Sequence, residues 1–279
     1  MSQNEKCAAR CFGAMRPPAP DRPTALVTGA NRGLGLETSN QLHQQGFRVI
    51  LTSRKETAGM AATKKLDPGG LDVVYHQLDI TDRESISALA GDLPRLVPRL
   101  DVLVNNAGVG SWGADRTASA HTVSVNYFGS RDVTDALLPF VPRGGRVVMV
   151  SSGMGELSYL GRDLRSKFGD PALTRPALEA LVASYLRDLE RGDPRKAGWP
   201  SAYSVSKISV NALTRILARE LAPRGIRINS VCPGWVRTDM GGRSAPRSVQ
   251  VGARSIVLGA TGLADATGGF FRDGKKIAW

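Results

Sequence analysis

The sequence predicts an α/β protein: a doubly wound parallel sheet in a single domain, with a helical insertion. Three observations carry this. Short apolar runs such as "TALV" (24–27) and "VVMV" (147–150) show no polar alternation, so both faces of each strand must be covered. These runs alternate with segments of helical periodicity, the pattern of parallel strands joined by right-handed crossovers. The first run ends in a glycine-rich loop that opens a helix, as in a Rossmann-type sheet. A chain of 279 residues fits one such domain and can bury about three quarters of its unfolded surface.

Residues 1–23 hold the proline-rich "RPPAPDRP" (16–23) and no long apolar stretch. They carry arginine and little acid, as an organelle-type leader does, but a flexible tail ending in a linker is the simpler expectation. The folded domain is expected over 24–279. "TALVTGA" reads as a first strand, and "NRGLGLETSNQLHQQG" as a helix stopped at Gly46. "FRVILTSR" (47–54) is a second strand, "ETAGMAATKKL" (56–66) a helix and "DVVYHQLDI" (72–80) a third strand. In "TDRESISALAGDL" (81–93), Thr81 with Glu84 three positions on predicts a capping box. Strand "LDVLVNNAG" (100–108), a helix around 121–141 and strand "GRVVMVSS" (145–152) continue the rhythm.

The segment about 156–197 breaks it. There Leu178, Leu181, Val182, Tyr185, Leu186 and Leu189 form one apolar helical stripe, with Thr174 as N-cap and Gly192 and Pro194 as the stop. The insertion is therefore a structured helix and no linker. Next come a long helix over 201–225, a strand "IRINSVCPG" (226–234) and a last edge strand near "GGFFRDGKKIAW" with an Asp273-Gly274 turn.

Charge and cysteine bound the function. Lys and Arg number 37 against 25 Asp and Glu, a net charge of +12. The cations are scattered without an aromatic-rich basic block, so a nucleic-acid partner is not expected, while an anionic ligand is attracted. Three cysteines, Cys7, Cys11 and Cys232, give no disulfide framework and suit a reducing compartment, taken here as the cytoplasm. No apolar stretch approaches the ~20 residues that cross a bilayer, so no membrane partner is expected. No metal site is expected.

"TGANRGLG" (28–35) has the strand-before, helix-after context of a pyrophosphate loop. Gly29, Gly33 and Gly35 allow close backbone approach, and Asn31 and Leu34 belong to the same loop. An NAD site places an acid about 20 residues on, to hold the ribose 2′-hydroxyl. Here Ser53 stands at that position, followed by Arg54, and Arg32 lies inside the loop. Cations without a carboxylate suit a 2′-phosphate, so the expected cofactor is NADP(H).

Tyr203 and Lys207 are one helical turn apart and share a face. A phenol titrates near 10; a neighbouring ammonium and a positively charged nicotinamide are expected to lower it, so that Tyr203 protonates an alkoxide as hydride reaches a carbonyl carbon. Ser152, at the end of a buried strand, can hydrogen-bond the same oxygen.

From Thr24 onward the chain resembles the short-chain dehydrogenase/reductase family. The resemblance rests on "TGANRGLG", "LDI" (78–80), "NNAG" (105–108), "SVNYFG" (124–129), "VSS" (150–152), "YSVSK" (203–207) and "CPGWVRTDM" (232–240). It implies Tyr203 as general acid, Lys207 tuning it and holding the nicotinamide ribose, and Ser152, rather than Ser151, orienting the substrate oxygen. It implies Asn126 as support for a relay water. Asp79 and Ile80 would meet the adenine, Asn106, Ala107 and Gly108 the adenine ribose, and Val236 and Thr238 the carboxamide.

In most of the family the Ser and Tyr stand close in sequence; here residues 153–202 separate them. The insertion is similar to that of the carbonyl reductase branch, where the added helix covers the face used elsewhere for oligomerisation. A monomer is expected on that ground. The implied reaction is NADPH-dependent reduction of aldehydes or ketones, with a small-molecule carbonyl substrate. The alternatives are an alcohol, sterol or terpenoid dehydrogenase run oxidatively, and a non-catalytic nucleotide sensor. Trp112, Met154, Trp199, Trp235 and Met240 fall in loops at strand ends and suggest an apolar pocket of broad specificity. Cys232 adjoins these loops and is expected to be buried and inert.

Overall fold

The computed structural model describes residues 22–110 and 115–279. All but the last two residues of the expected tail, with Cys7, Cys11 and Trp112, lie outside the described residues.

The strands are β1 (Thr24–Val27), β2 (Arg48–Ser53), β3 (Val73–Gln77), β4 (Val102–Asn105), β5 (Arg146–Val150), β6 (Arg227–Val231), β7 (Phe270–Arg272) and β8 (Lys275–Lys276). They form one sheet in the order β3-β2-β1-β4-β5-β6-β7-β8. All pairs are parallel except β7 with β8. Strand order reverses between β1 and β4, which opens a crevice at the strands' C-terminal ends.

The apolar runs are explained by two cores. Ala25, Val27, Val102 and Val104 join Leu42, Val148, Val150 and Ile256 in one. Leu26, Leu103, Val147 and Met149 turn the other way, onto Leu89, Leu93, Val133, Leu137 and Ile208. Successive strand residues point to opposite faces, so an unbroken apolar run fills both.

Helices α1 (Gly33–Gln44), α2 (Glu56–Leu66) and α3 (Arg83–Leu96) match the sequence reading, with one correction. The N-cap of α3 is Asp82, whose carboxylate accepts from the Glu84 amide; Thr81 instead donates from its backbone and hydroxyl to Asp79. A carboxylate is a cap as effective as a hydroxyl, and here it sits one residue nearer the helix. The next helical stretch is three pieces: α4 (Arg116–Val123), a π-helical turn (Ser124–Gly129) and α5 (Ser130–Leu137).

The insertion holds a short helix α6 (Arg162–Gly169) and the expected α7 (Arg175–Arg191). Thr174 caps α7 by accepting from the Ala177 amide, and Gly192 ends it at φ +104°. Leu178, Val182, Tyr185 and Leu189 are buried, Leu181 and Leu186 half-buried. Each buried side chain contributes about 1.5–3 kcal/mol. The stripe packs on α4 and on α8 (Ala202–Leu221). Arg175 pairs with Asp135 and Glu220 at 2.8 Å each, and Arg131 with Glu179 at 2.9 Å, which pins both sides of α7.

A final helix, α9 (Val249–Thr261), was not expected from the sequence. It packs on α1 and covers the sheet face there.

Candidate active site

The glycine-rich loop after β1 is fixed from below by Thr28. This hydroxyl accepts from the amides of Asn106 (3.0 Å) and Ala107 (2.9 Å) and donates to the Val104 carbonyl (3.4 Å). The Asn106 carboxamide donates in turn to the carbonyls of Thr28 (2.8 Å) and Gly29 (3.3 Å). The two loops thus lie back to back. Gly29 has φ +62°, and a Cβ there would come within 2.9 Å of the Ala107 Cα; a Cβ on Gly35 would meet the Asn106 Nδ2 at 2.5 Å. Both glycines are required by contact, and Gly29 by its dihedral as well.

A cleft of about 790 Å³ runs across these loops. It is lined by Gly29, Asn31, Arg32, Gly33, Leu34, Gly35, Ser53, Arg54, Asp79, Ile80, Asn106, Ala107, Gly108, Tyr203, Lys207 and Thr238, which the sequence reading had proposed. Lys55, Thr81, Arg237 and Asp239 line it too and were missed, as was Thr28 beneath it. Lys55 extends the Arg54 cation pair, a signal present in the sequence.

Val236 does not line the cleft. It is 4% exposed, and its side chain lies against Gly252, where a Cβ would meet it at 2.6 Å. Only its backbone faces the loop, and its carbonyl already accepts from the Thr238 amide at 2.9 Å. Arg32 is ion-paired with Asp239, which lines the same cleft. Arg54 is exposed at the rim.

The donor set fits a dinucleotide. Helix α1 begins at Gly33, in the loop, with no acidic residue in its first turn, so its N-terminal amides and dipole can face a pyrophosphate. Arg54 and Lys55 suit an additional phosphate on the ribose. Among the described residues no cluster of His, Cys, Asp and Glu could hold a metal ion.

At the far end of the cleft lie the groups able to move a proton. Tyr203 is 8% exposed, and a side-chain hydrogen bond joins it to Ser152. Burial pushes the phenol above its ordinary value; the Ser152 hydrogen bond opposes this and the Cys232 thiol adds to it. The expectation that Lys207 lowers it is not met by the protein alone, and Tyr203 stands as a neutral acid. The Lys207 ammonium lies 5.7 Å from the Tyr203 ring centre and donates to the Val150 carbonyl at 2.8 Å. Burial lowers Lys207 to about 8. Ser152 also accepts from the Met154 amide at 3.2 Å, which fixes its rotamer. Ser151 faces α8, its hydroxyl 3.5 Å from the Lys207 carbonyl. Ser151 also lines the cleft, but Ser152 is the serine hydrogen-bonded to Tyr203.

Asn126 sits in the π-helical turn. Its Oδ1 accepts from the Val109 amide (2.8 Å), and its Nδ2 donates to the Val109 carbonyl (2.9 Å) and the Ser206 hydroxyl (3.0 Å). It clasps the loop after β4 to α8, beside Lys207, and π-turns commonly mark such functional positions.

The pocket-lining aromatics are redistributed. Trp199 is 3% exposed and packs edge-on to Tyr185 and Phe168, its indole N–H donating to Asp188 at 2.9 Å. It holds the insertion and does not face the cleft. Met240 lines the cleft, Met154 is half-buried beside Ser152, and Trp235 is 57% exposed. Cys232 is buried as expected, a free thiol.

Residues 23–175 match the family model for "short chain dehydrogenase", and 190–268 that for "Enoyl-(Acyl carrier protein) reductase". Carbonyl reductase (NADPH) 1 of Bos taurus is 43% identical over 270 residues, covering 91% of this chain and 98% of the relative. Among solved structures, salutaridine reductase from Papaver somniferum superposes with a TM-score of 0.83 at 33% identity, covering 90% of this chain and all of that one. Menthone neomenthol reductase from Mentha piperita gives 0.76 at 29%, covering 91% and 99%. A glycine-lined cleft, a Ser–Tyr–Lys group at its end and these matches together make the chain a member of the short-chain dehydrogenase/reductase family, in its carbonyl reductase branch.

Proposed function

We propose that this protein reduces aldehydes or ketones to alcohols with NADPH. The observation that carries the reading is the neutral, buried Tyr203 hydrogen-bonded to Ser152 at the end of a cation-rimmed dinucleotide cleft. Reduced nicotinamide, when bound, supplies hydride to the carbonyl carbon. Tyr203 gives its phenolic proton to the oxygen that becomes the alcohol, and Ser152 hydrogen-bonds that oxygen. Lys207, positive at neutral pH, stabilises the phenolate left behind. Asn126 holds the loop and α8 in register for this exchange. Ser53, Arg54 and Lys55 receive the phosphorylated ribose, Asp79 and Ile80 the adenine, and Asn106, Ala107 and Gly108 the adjoining ribose. Thr238 and the Val236 backbone receive the carboxamide.

The test is loss of NADPH absorbance against menadione, isatin, an aliphatic aldehyde and a monoterpene ketone, with NADH in parallel. Turnover with NADPH, little with NADH and none in Tyr203→Phe is expected. Tyr203→Phe retaining turnover would remove Tyr203 from its role.

Two further readings belong with this one. Helix α7 covers the α4 and α8 face, which supports a monomer; light scattering that returns a dimer mass refutes it. No helix among the described residues is long and apolar enough to cross a membrane. A cytoplasmic location is proposed on the free thiol of Cys232, and cell fractionation checks it.

A further inference from the structure

Arg272 ends β7, beside the C-terminal end of β6, whose other neighbour is β5. The register pairs Val150 with Val231 and Val231 with Phe271. Val150 and Val231 face the core that lies under α9. The residues that follow them, Ser151 and Cys232, therefore face α8, and so does Arg272 beside them. The Cys232 thiol accepts from the Arg272 Nη2 at 3.2 Å and lies within electrostatic reach of both Tyr203 and Lys207. A Cβ built on Gly153, the neighbour of Ser152, would come within 3.1 Å of the same Nη2. The guanidinium thus lies over the residue next to Ser152.

Its own bonding is incomplete. The Arg272 Nε is buried and has no hydrogen-bond partner among the described residues. Asp273 and Glu156 are near, but neither forms an ion pair with Arg272 among the described residues. Both Asp273 oxygens are taken by Arg247, at 2.5 and 3.0 Å. A thiol is a weak acceptor; Cys232, Asp273 and Glu156 together hold the guanidinium charged, yet its fork has no carboxylate partner among the described residues. A guanidinium fork is matched best by a carboxylate.

We propose that Arg272 is a specificity-determining residue that binds the carboxylate of a carbonyl-containing acid while Tyr203 and Ser152 meet its carbonyl oxygen. The inference rests on the reductase reading and narrows it: the favoured substrates are oxo acids or aldehyde acids, and the apolar surface from Met240 and Met154 holds the carbon frame between the two polar ends. Arg272 takes no part in hydride or proton transfer.

The probes are the three isomers of formylbenzoate, each against its own methyl ester, with full-length enzyme and NADPH. For at least one isomer, kcat/KM for the acid is expected to exceed that for the ester by about ten- to a hundredfold, the range of one charge-assisted hydrogen bond, and to do so through KM. Arg272→Gln brings that ratio toward one. Arg272→Lys, which keeps charge but not the fork, leaves a smaller preference and serves if the glutamine variant does not fold. Lys275→Gln, an exposed charge on β8, leaves the ratio as it was. An acid-to-ester ratio equal in wild type and both Arg272 variants overturns the proposal and leaves the reductase standing. If no acid or ester is reduced, the carbonyl panel above decides the reductase reading, and calorimetric titration of benzoate onto the NADPH-loaded enzyme decides the site alone. Binding lost in Arg272→Gln supports it, and equal binding overturns it.

Discussion

Replacing Thr28 by Val removes one oxygen and keeps the shape, at a residue 1% exposed. That oxygen accepts from two backbone amides: Asn106 also donates to the Val104 carbonyl at 3.0 Å, so Ala107 is the one that depends on it. An amide left without an acceptor costs about 1–3 kcal/mol, so the loss of the Ala107 bond is expected to cost about that much. Domains of this kind are stable by only about 5–15 kcal/mol, so the loss is large and still compatible with folding. Urea unfolding of Thr28→Val should show a lower midpoint at an unchanged slope. Thr28→Ser, which keeps the acceptor, should recover most of it. NADPH titration should weaken in Thr28→Val alone, because the floor of the cleft is the loop pair that Thr28 joins. A Val variant within about 0.5 kcal/mol of wild type, the noise of a neutral surface change, would refute the assignment of Thr28 as the joint.

Lys207 is held near about 8, below its ordinary 10.5, so folding expels its proton between those values. Stability should therefore rise with pH across that window, by about 1 kcal/mol per unit relative to Lys207→Met, and run parallel to it below pH 8; urea titrations at several pH values check this. Tyr185→Ala should cost about 3–5 kcal/mol, since it empties the space between α7 and Trp199. Thermal unfolding measures that loss. Arg54→Ala should raise the KM for NADPH about ten- to a hundredfold and leave that for NADH unchanged, by steady-state kinetics.

Strands and most helices were legible because one physical cause wrote them: a sheet covered on both faces needs unbroken apolar runs, and these stand out. The α7 stripe was legible for the same reason. Helix α9 was not. Its core-facing positions are Gly252, Ala253, Ser255, Gly259 and Ala260 as much as Ile256 and Val257, so its apolar periodicity is faint. Those small residues are needed by close packing: a Cβ on Gly259 would meet Val231 at 2.5 Å. Tyr203, Lys207 and Ser152 were legible from side-chain chemistry, and they converge as that chemistry demands. Thr28 was hidden because its partners are far along the chain and nothing local distinguishes it from any strand-end threonine. Trp199 was misplaced because a loop tryptophan fits a pocket wall and an insertion core equally well until Tyr185 and Phe168 are placed. The protein's own effect on Tyr203 was hidden because an adjacent cation is visible in sequence and burial is not.

The hairpin that closes the sheet has a bearing on how the protein behaves when crowded. Asp273 and Gly274 both adopt positive φ, +53° and +74°, so the chain reverses at once and returns only two residues, Lys275 and Lys276, both exposed. A sheet polymerises by offering a long, neutral rim to the next molecule. This rim is too short to template a neighbour, and a second copy would bring ammonium against ammonium. The same reversal that anchors Arg272 also stops the sheet from growing at its β8 edge.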